Sequence, residues 1–93
     1  METEARRNPE RHRYELADSD GVVSVAEYRE IDGVVVFTHT ETREELRGRG
    51  LAEKLVRFAL EDVRAMGKSV MPRCAFVRDF IVRHPQYNDV LAA

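Results

Sequence analysis

The sequence predicts a one-domain α+β fold, on three observations. Residues 11–40 carry three short runs rich in β-branched and aromatic residues with turn signals between them. A glycine-rich turn at residues 46–52 opens directly into an apolar stripe at helical spacing, and a shorter helical stripe follows a brief apolar run near residue 70. At 93 residues the chain supports a single core, since a fold of this size buries only about 60–65% of its unfolded surface.

Taken in order, Met1 to Glu10 is polar and charged with no apolar stretch, so residues 1–10 read as a flexible N-terminus and neither a signal peptide nor an anchor. Residues 11–93 form the domain. His12 to Ala17 alternates polar and apolar, and Asp18-Ser19-Asp20-Gly21 reverses the chain. Val22 to Ile31 and Val34 to Phe37 flank Asp32-Gly33, the dipeptide of a type I′ hairpin, because both of its central positions need positive φ. The three runs make an antiparallel meander. From Leu51 the apolar residues Leu55, Ala59 and Val63, with Ala52, Val56 and Leu60 beside them, predict an amphipathic helix over about 50–66, ended by Gly67. Ser69 to Pro72 predicts a short strand beside the meander, parallel to its neighbour because the helix serves as a crossover. Phe76, Val77, Phe80 and Ile81 predict a C-terminal helix over Ala75 to Arg83, stopped by His84-Pro85. His84 is expected to pack against Tyr87.

Composition narrows the function. Hydrophobic residues make up 43% and charged residues 34%, a globular balance, and no apolar run approaches the span of a bilayer. The expected location is cytoplasmic, with no membrane contact. Net charge is −2, yet residues 1–45 hold 6 Lys+Arg against 12 Asp+Glu while residues 46–93 hold 9 against 5. The cations gather around one turn and one cysteine and form no stripe, which fits a small polyanionic ligand and excludes broad nucleic-acid binding. The single cysteine, Cys74, makes no internal disulfide and lacks partners for a cysteine-based metal site.

Leu46-Arg47-Gly48-Arg49-Gly50-Leu51-Ala52 is the chemical centre of the sequence. Two glycines free the backbone, a helix begins at once with its unpaired N–H groups and positive dipole end, and two arginines flank the turn. It is a pyrophosphate seat. A P-loop would need Gly-x-x-x-x-Gly-Lys-Ser/Thr and a dinucleotide site a third glycine, and neither is present. Arg47-x-x-Gly50-x-Ala52 resembles the acetyl-CoA signature of the GNAT N-acetyltransferases, Gln/Arg-x-x-Gly-x-Gly/Ala. Thr38-His39-Thr40-Glu41, Pro72-x-Cys74 and His84-Pro85-x-Tyr87 extend the resemblance over residues 20–91, to a small GNAT subfamily similar to the full enzymes without their N-terminal substrate-binding helices. Thr42 and Arg73 depart from apolar residues expected there. The resemblance implies the GNAT (acyl-CoA N-acyltransferase) fold. It also implies that the diphosphate of acetyl-CoA (coenzyme A) is held by backbone N–H groups from Arg47 to Ala52, with Leu46 pairing to the pantetheine arm and Lys54 reaching a phosphate.

Two residues are candidates for catalysis. Cys74 opens the C-terminal helix with Arg73 beside it and Arg78 on the same face, where a thiolate is stabilised. The resemblance implies an acetyl-cysteine or a proton-transfer role for it; the alternative is a small buried hydrophobe. His39, at the end of the third strand, is the candidate base because imidazole titrates near neutrality. Its alternative is a hydrogen-bonded structural group, and Glu41 is a second candidate base. Glu41, Glu44 and Glu45 form an acidic run suited to a cationic amine, or simply a solvated face. The function implied is acetyl transfer to an amine of a protein or small molecule, by a monomer or weak dimer. Its rivals are a non-catalytic CoA-binding module and an interaction domain using the edge of the meander.

Overall fold

The computed structural model describes residues 2–93. Five strands form one sheet in chain order: β1 (Glu4–Asn8), β2 (Arg13–Asp18), β3 (Gly21–Ile31), β4 (Val34–Thr42) and β5 (Ser69–Pro72). The first four are antiparallel, and β5 runs parallel to β4 after helix α1 (Leu51–Ala65). Helix α2 (Ala75–Arg83) follows. The expected α+β architecture is found, as is the type I′ turn: Asp32 and Gly33 take φ of 50° and 79°. Among the described residues, no helix is long and apolar enough to cross a membrane.

The N-terminal segment differs from expectation. Where the sequence suggests a flexible end over residues 1–10, residues 4–8 pair with β2 from Glu4↔Ala17 to Asn8↔Arg13. Met1 lies outside the described residues. Glu-Ala-Arg-Arg-Asn has no apolar alternation to announce a strand. Its place comes from the backbone edge that β2 offers and from the buried carboxylate of Glu15, which accepts from Arg6 Nε (2.8 Å), Asn8 Nδ2 (3.1 Å) and Arg13 Nε (2.7 Å). Burial pushes the Glu15 carboxyl up, but the three donors outweigh it and hold it below its ordinary value.

Both helices pack on one face of the sheet. Leu55, Val56, Ala59, Leu60 and Val63 of α1 and Val77, Phe80 and Ile81 of α2 share a core with Tyr14, Leu16, Ala26, Tyr28, Val35, Phe37 and Val70. Each Leu, Ile, Val or Phe among them contributes about 1.5–3 kcal/mol on burial, so Leu60→Ala would cost about 2–5 kcal/mol with its cavity. Neighbouring carboxylates on α1 fix its rotation. Tyr14 donates to Asp62 (2.6 Å) and Tyr87 to Glu61 (2.8 Å). Burial, then the Asp62 bond, drives the Tyr14 hydroxyl well above its ordinary range. His84 ends α2 as expected, but its ring stacks on Phe80 at 4.0 Å and not on Tyr87, because its Nδ1 is drawn to the Phe80 carbonyl at 2.7 Å.

A bulge in β4 decides what faces the site. Glu27 pairs with His39 while Tyr28 pairs with Phe37, leaving Thr38 as the extra residue. Up to Phe37 the odd-numbered residues of β4 face the helices. After Thr38 the parity changes, so Thr40, opposite Ala26, faces the helices, and His39, opposite Glu27, goes to the second face with Glu41 and Val25.

Candidate functional site

The site begins where β4 and β5 part. Their ladder ends at Phe37↔Pro72, since proline has no N–H to continue it, and the Phe37 carbonyl accepts from both Arg73 N (3.0 Å) and Cys74 N (2.9 Å). Beyond that point β4 has no strand on its β5 side, and a cleft of about 480 Å³ opens between β4, the turn before α1 and the start of α2.

One end of the cleft is the glycine turn. Gly48 and Gly50 both adopt left-handed backbone, with φ of 80° and 75°. A Cβ at either would meet open space, so it is the backbone conformation that selects glycine. The two kinks set the chain so that α1 starts at Leu51 with Gly50 as its N-cap and no side-chain cap. Its first intrahelical bond is Lys54 N to Gly50 O, at 3.0 Å. Among the described residues, the N–H groups of 50–53 have no hydrogen-bond partner. Uncapped donors and the positive end of a helix dipole together make an anion seat. Arg47 donates from Nε to the Thr42 carbonyl (3.2 Å), tying the turn to the end of β4.

The residues singled out in the sequence fall into two groups. Leu46, Arg47, Gly48, Gly50, Leu51, Ala52 and His39 line the cleft. Arg49 is exposed beside it, and Lys54 is turned away. Its ammonium bonds Thr3 Oγ1 (2.6 Å) and the Thr3 carbonyl (3.2 Å), tethering α1 to the segment before β1. Cys74 is half-buried and packed against the core, and its Sγ lies 3.6 Å from Thr40 Oγ1. Arg73 and Arg78 are exposed and make no hydrogen bond to Sγ. His39 is about half exposed, with Nε2 3.7 Å from Glu41 Oε1. Of the acidic run, Glu45 is engaged by Arg43 Nη2 at 2.6 Å.

Four lining residues had been given no role in the site: Thr40, Thr42, Glu53 and Phe76. Glu53 left a signal, as an acid in the first turn of a helix, which is where the dipole favours one. Phe76 reaches the cleft through the strand parting, which Pro72 marks, and Thr40 through the bulge, which has no residue signature.

Comparison with known proteins agrees with this architecture. The family model described as GCN5-related N-acetyl-transferase matches residues 13–90. No curated protein matches the chain. The solution structure of a GCN5-like candidate N-acetyltransferase from Staphylococcus aureus superposes with a TM-score of 0.74 at 22% identity, covering 97% of this chain and 88% of that one. The ribosomal-protein-S18-alanine N-acetyltransferase of Escherichia coli superposes with a TM-score of 0.60 at 10% identity, over 64% of this chain and 39% of that enzyme. These two likenesses concern the fold.

Proposed function

We propose, because this chain belongs to the GCN5-related N-acetyltransferase family, that it moves an acetyl group from acetyl-CoA to an amine. The observation that carries this reading is the row of partnerless N–H groups from 50 to 53 at the mouth of the cleft. Donors of that density are satisfied by a diphosphate, and Arg47 and Arg49 add charge beside them. Leu46 and the unpartnered edge of β4 suit the amide-bearing pantetheine arm, which pairs as a strand would. Acetyl-CoA supplies an activated thioester, whose carbonyl carbon is open to attack.

The two sides of β4 divide the labour. The anion seat, Leu51 and Phe76 lie toward the helices, whereas His39 and Glu41 lie on the face that no helix covers. The amine therefore approaches from that bare face, and the His39 imidazole takes its proton. Glu41 and Glu27 beside His39 favour a cationic acceptor as it arrives.

A second reading, CoA binding without transfer, is favoured by one observation: the described residues build no wall on the acceptor side. Titration calorimetry with acetyl-CoA is the first test. Micromolar binding, about −8 kcal/mol, is expected. Absence of binding by the folded protein would sink both readings, and binding without turnover of any primary amine would leave the second.

A further inference from the structure

Cys74 is the nucleophilic side chain nearest the strand parting, yet it does not line the cleft, and Thr40 does. The β4 bulge turns the Thr40 side chain to the helix side. The bonds from Arg73 N and Cys74 N to the Phe37 carbonyl pin the start of α2 to the same strand, three residues before Thr40. Threonine Oγ1 and cysteine Sγ are thereby held 3.6 Å apart, within reach of a sulfur hydrogen bond. A hydroxyl has one proton and two lone pairs; if S–H donates into one lone pair, the hydroxyl proton is left to point elsewhere. The open direction is the cleft, at the end opposite the anion seat.

We infer that the Thr40 hydroxyl donates the hydrogen bond that holds the thioester carbonyl oxygen during transfer, and that Cys74 is a positioning residue behind it. This rests on the reading of the cleft as the acetyl-CoA site. The amine nitrogen forms a bond to the carbonyl carbon, and the carbonyl π electrons move onto oxygen, which the Thr40 O–H stabilises. The oxyanion then collapses, the carbon–sulfur bond breaks with its electron pair leaving on the CoA sulfur, and the nitrogen loses its proton to the base. Cys74 forms no covalent bond. Serine in its place keeps a donor behind Thr40, whereas alanine removes it.

The test reads the carbonyl directly and needs no acceptor. Acetyl-CoA labelled with carbon-13 at the carbonyl is titrated into the wild type and variants, and the bound resonance is compared with that of free acetyl-CoA. A downfield shift is expected in the wild type, in Thr40→Ser and in Cys74→Ser. It is lost in Thr40→Val and reduced in Cys74→Ala, while binding persists in each and thermal melting confirms the fold. Where an amine turns over, Thr40→Val lowers kcat about 100-fold with KM little changed. An unchanged bound resonance in Thr40→Val would overturn the assignment. So would label found covalently on Cys74, which would make the cysteine the nucleophile. No binding by the wild type is a different failure: it removes the acetyl-CoA reading itself, and this assignment with it.

Discussion

The two ends of the cleft are built in opposite ways. The anion seat is made by contiguous residues, Arg47 to Glu53, whose conformation is set by two left-handed glycines and by the helix that follows. The end at the strand parting is made by residues far apart in the chain: Thr40 from β4 and Phe76 from the start of α2, with Cys74 behind Thr40. A local device can be damaged without touching the core, whereas a juxtaposed one shares its side chains with the core. Damage at the first end should therefore report binding alone, whereas truncating the core-packed Phe76 ring at the second should report binding and stability together.

The largest effect is expected from Gly50→Asp. Aspartate tolerates the left-handed conformation better than most residues, so the fold survives, but its charge about 4 Å from a phosphate costs about 4 kcal/mol in effective protein dielectric. Calorimetry should show affinity for acetyl-CoA falling about 1,000-fold with the melting temperature little changed; retained affinity would mean the diphosphate sits elsewhere. His39→Ala should come next. Acetyl-CoA binding is unaffected, while thiol release with a primary amine that supports turnover drops about 100-fold. Unchanged thiol release in this variant would remove the histidine from the chemistry.

Phe76→Ala should do what the glycine variant does not. Its ring is half-buried against the core while lining the cleft, so denaturant melts should show a loss of about 1–3 kcal/mol, below the cost of a fully buried phenylalanine, alongside roughly tenfold weaker binding. A loss in only one of the two would break the contrast between the ends. The smallest effect has the opposite sign. Glu53 puts a carboxylate against the anion seat, and Glu53→Gln should tighten acetyl-CoA binding about two- to fivefold, since a charge near a helix terminus is worth about 0.3–1 kcal/mol.

The same contrast explains what the sequence made legible. The meander, its Asp-Gly turn, both helices and the glycine seat were readable because each is written in neighbouring residues with a periodicity or a required φ. Thr38 as a bulge was not, since its sequence is ordinary for a strand and only the register against β3 shows it. The bulge in turn sends His39 and Thr40 to opposite faces, so His39 was placed on the right strand while Thr40, though part of the quoted motif, was given no role. Lys54 was legible as a cation near the turn, but its direction depends on Thr3, distant in sequence. Strand β1 was hidden for a related reason: its partner is a buried carboxylate on another strand, and Ala5 is the one apolar residue in Glu4–Asn8, too little for an alternation.

That carboxylate also constrains how this chain can drift. Glu15 is satisfied by Arg6, Asn8 and Arg13 together, so replacing it alone leaves three donors converging on nothing, and replacing a donor alone leaves a buried charge short of partners. The four positions are coupled through one hydrogen-bond network. A redesign that varies them singly passes through destabilised intermediates, while one that exchanges the whole set for apolar residues crosses no such valley.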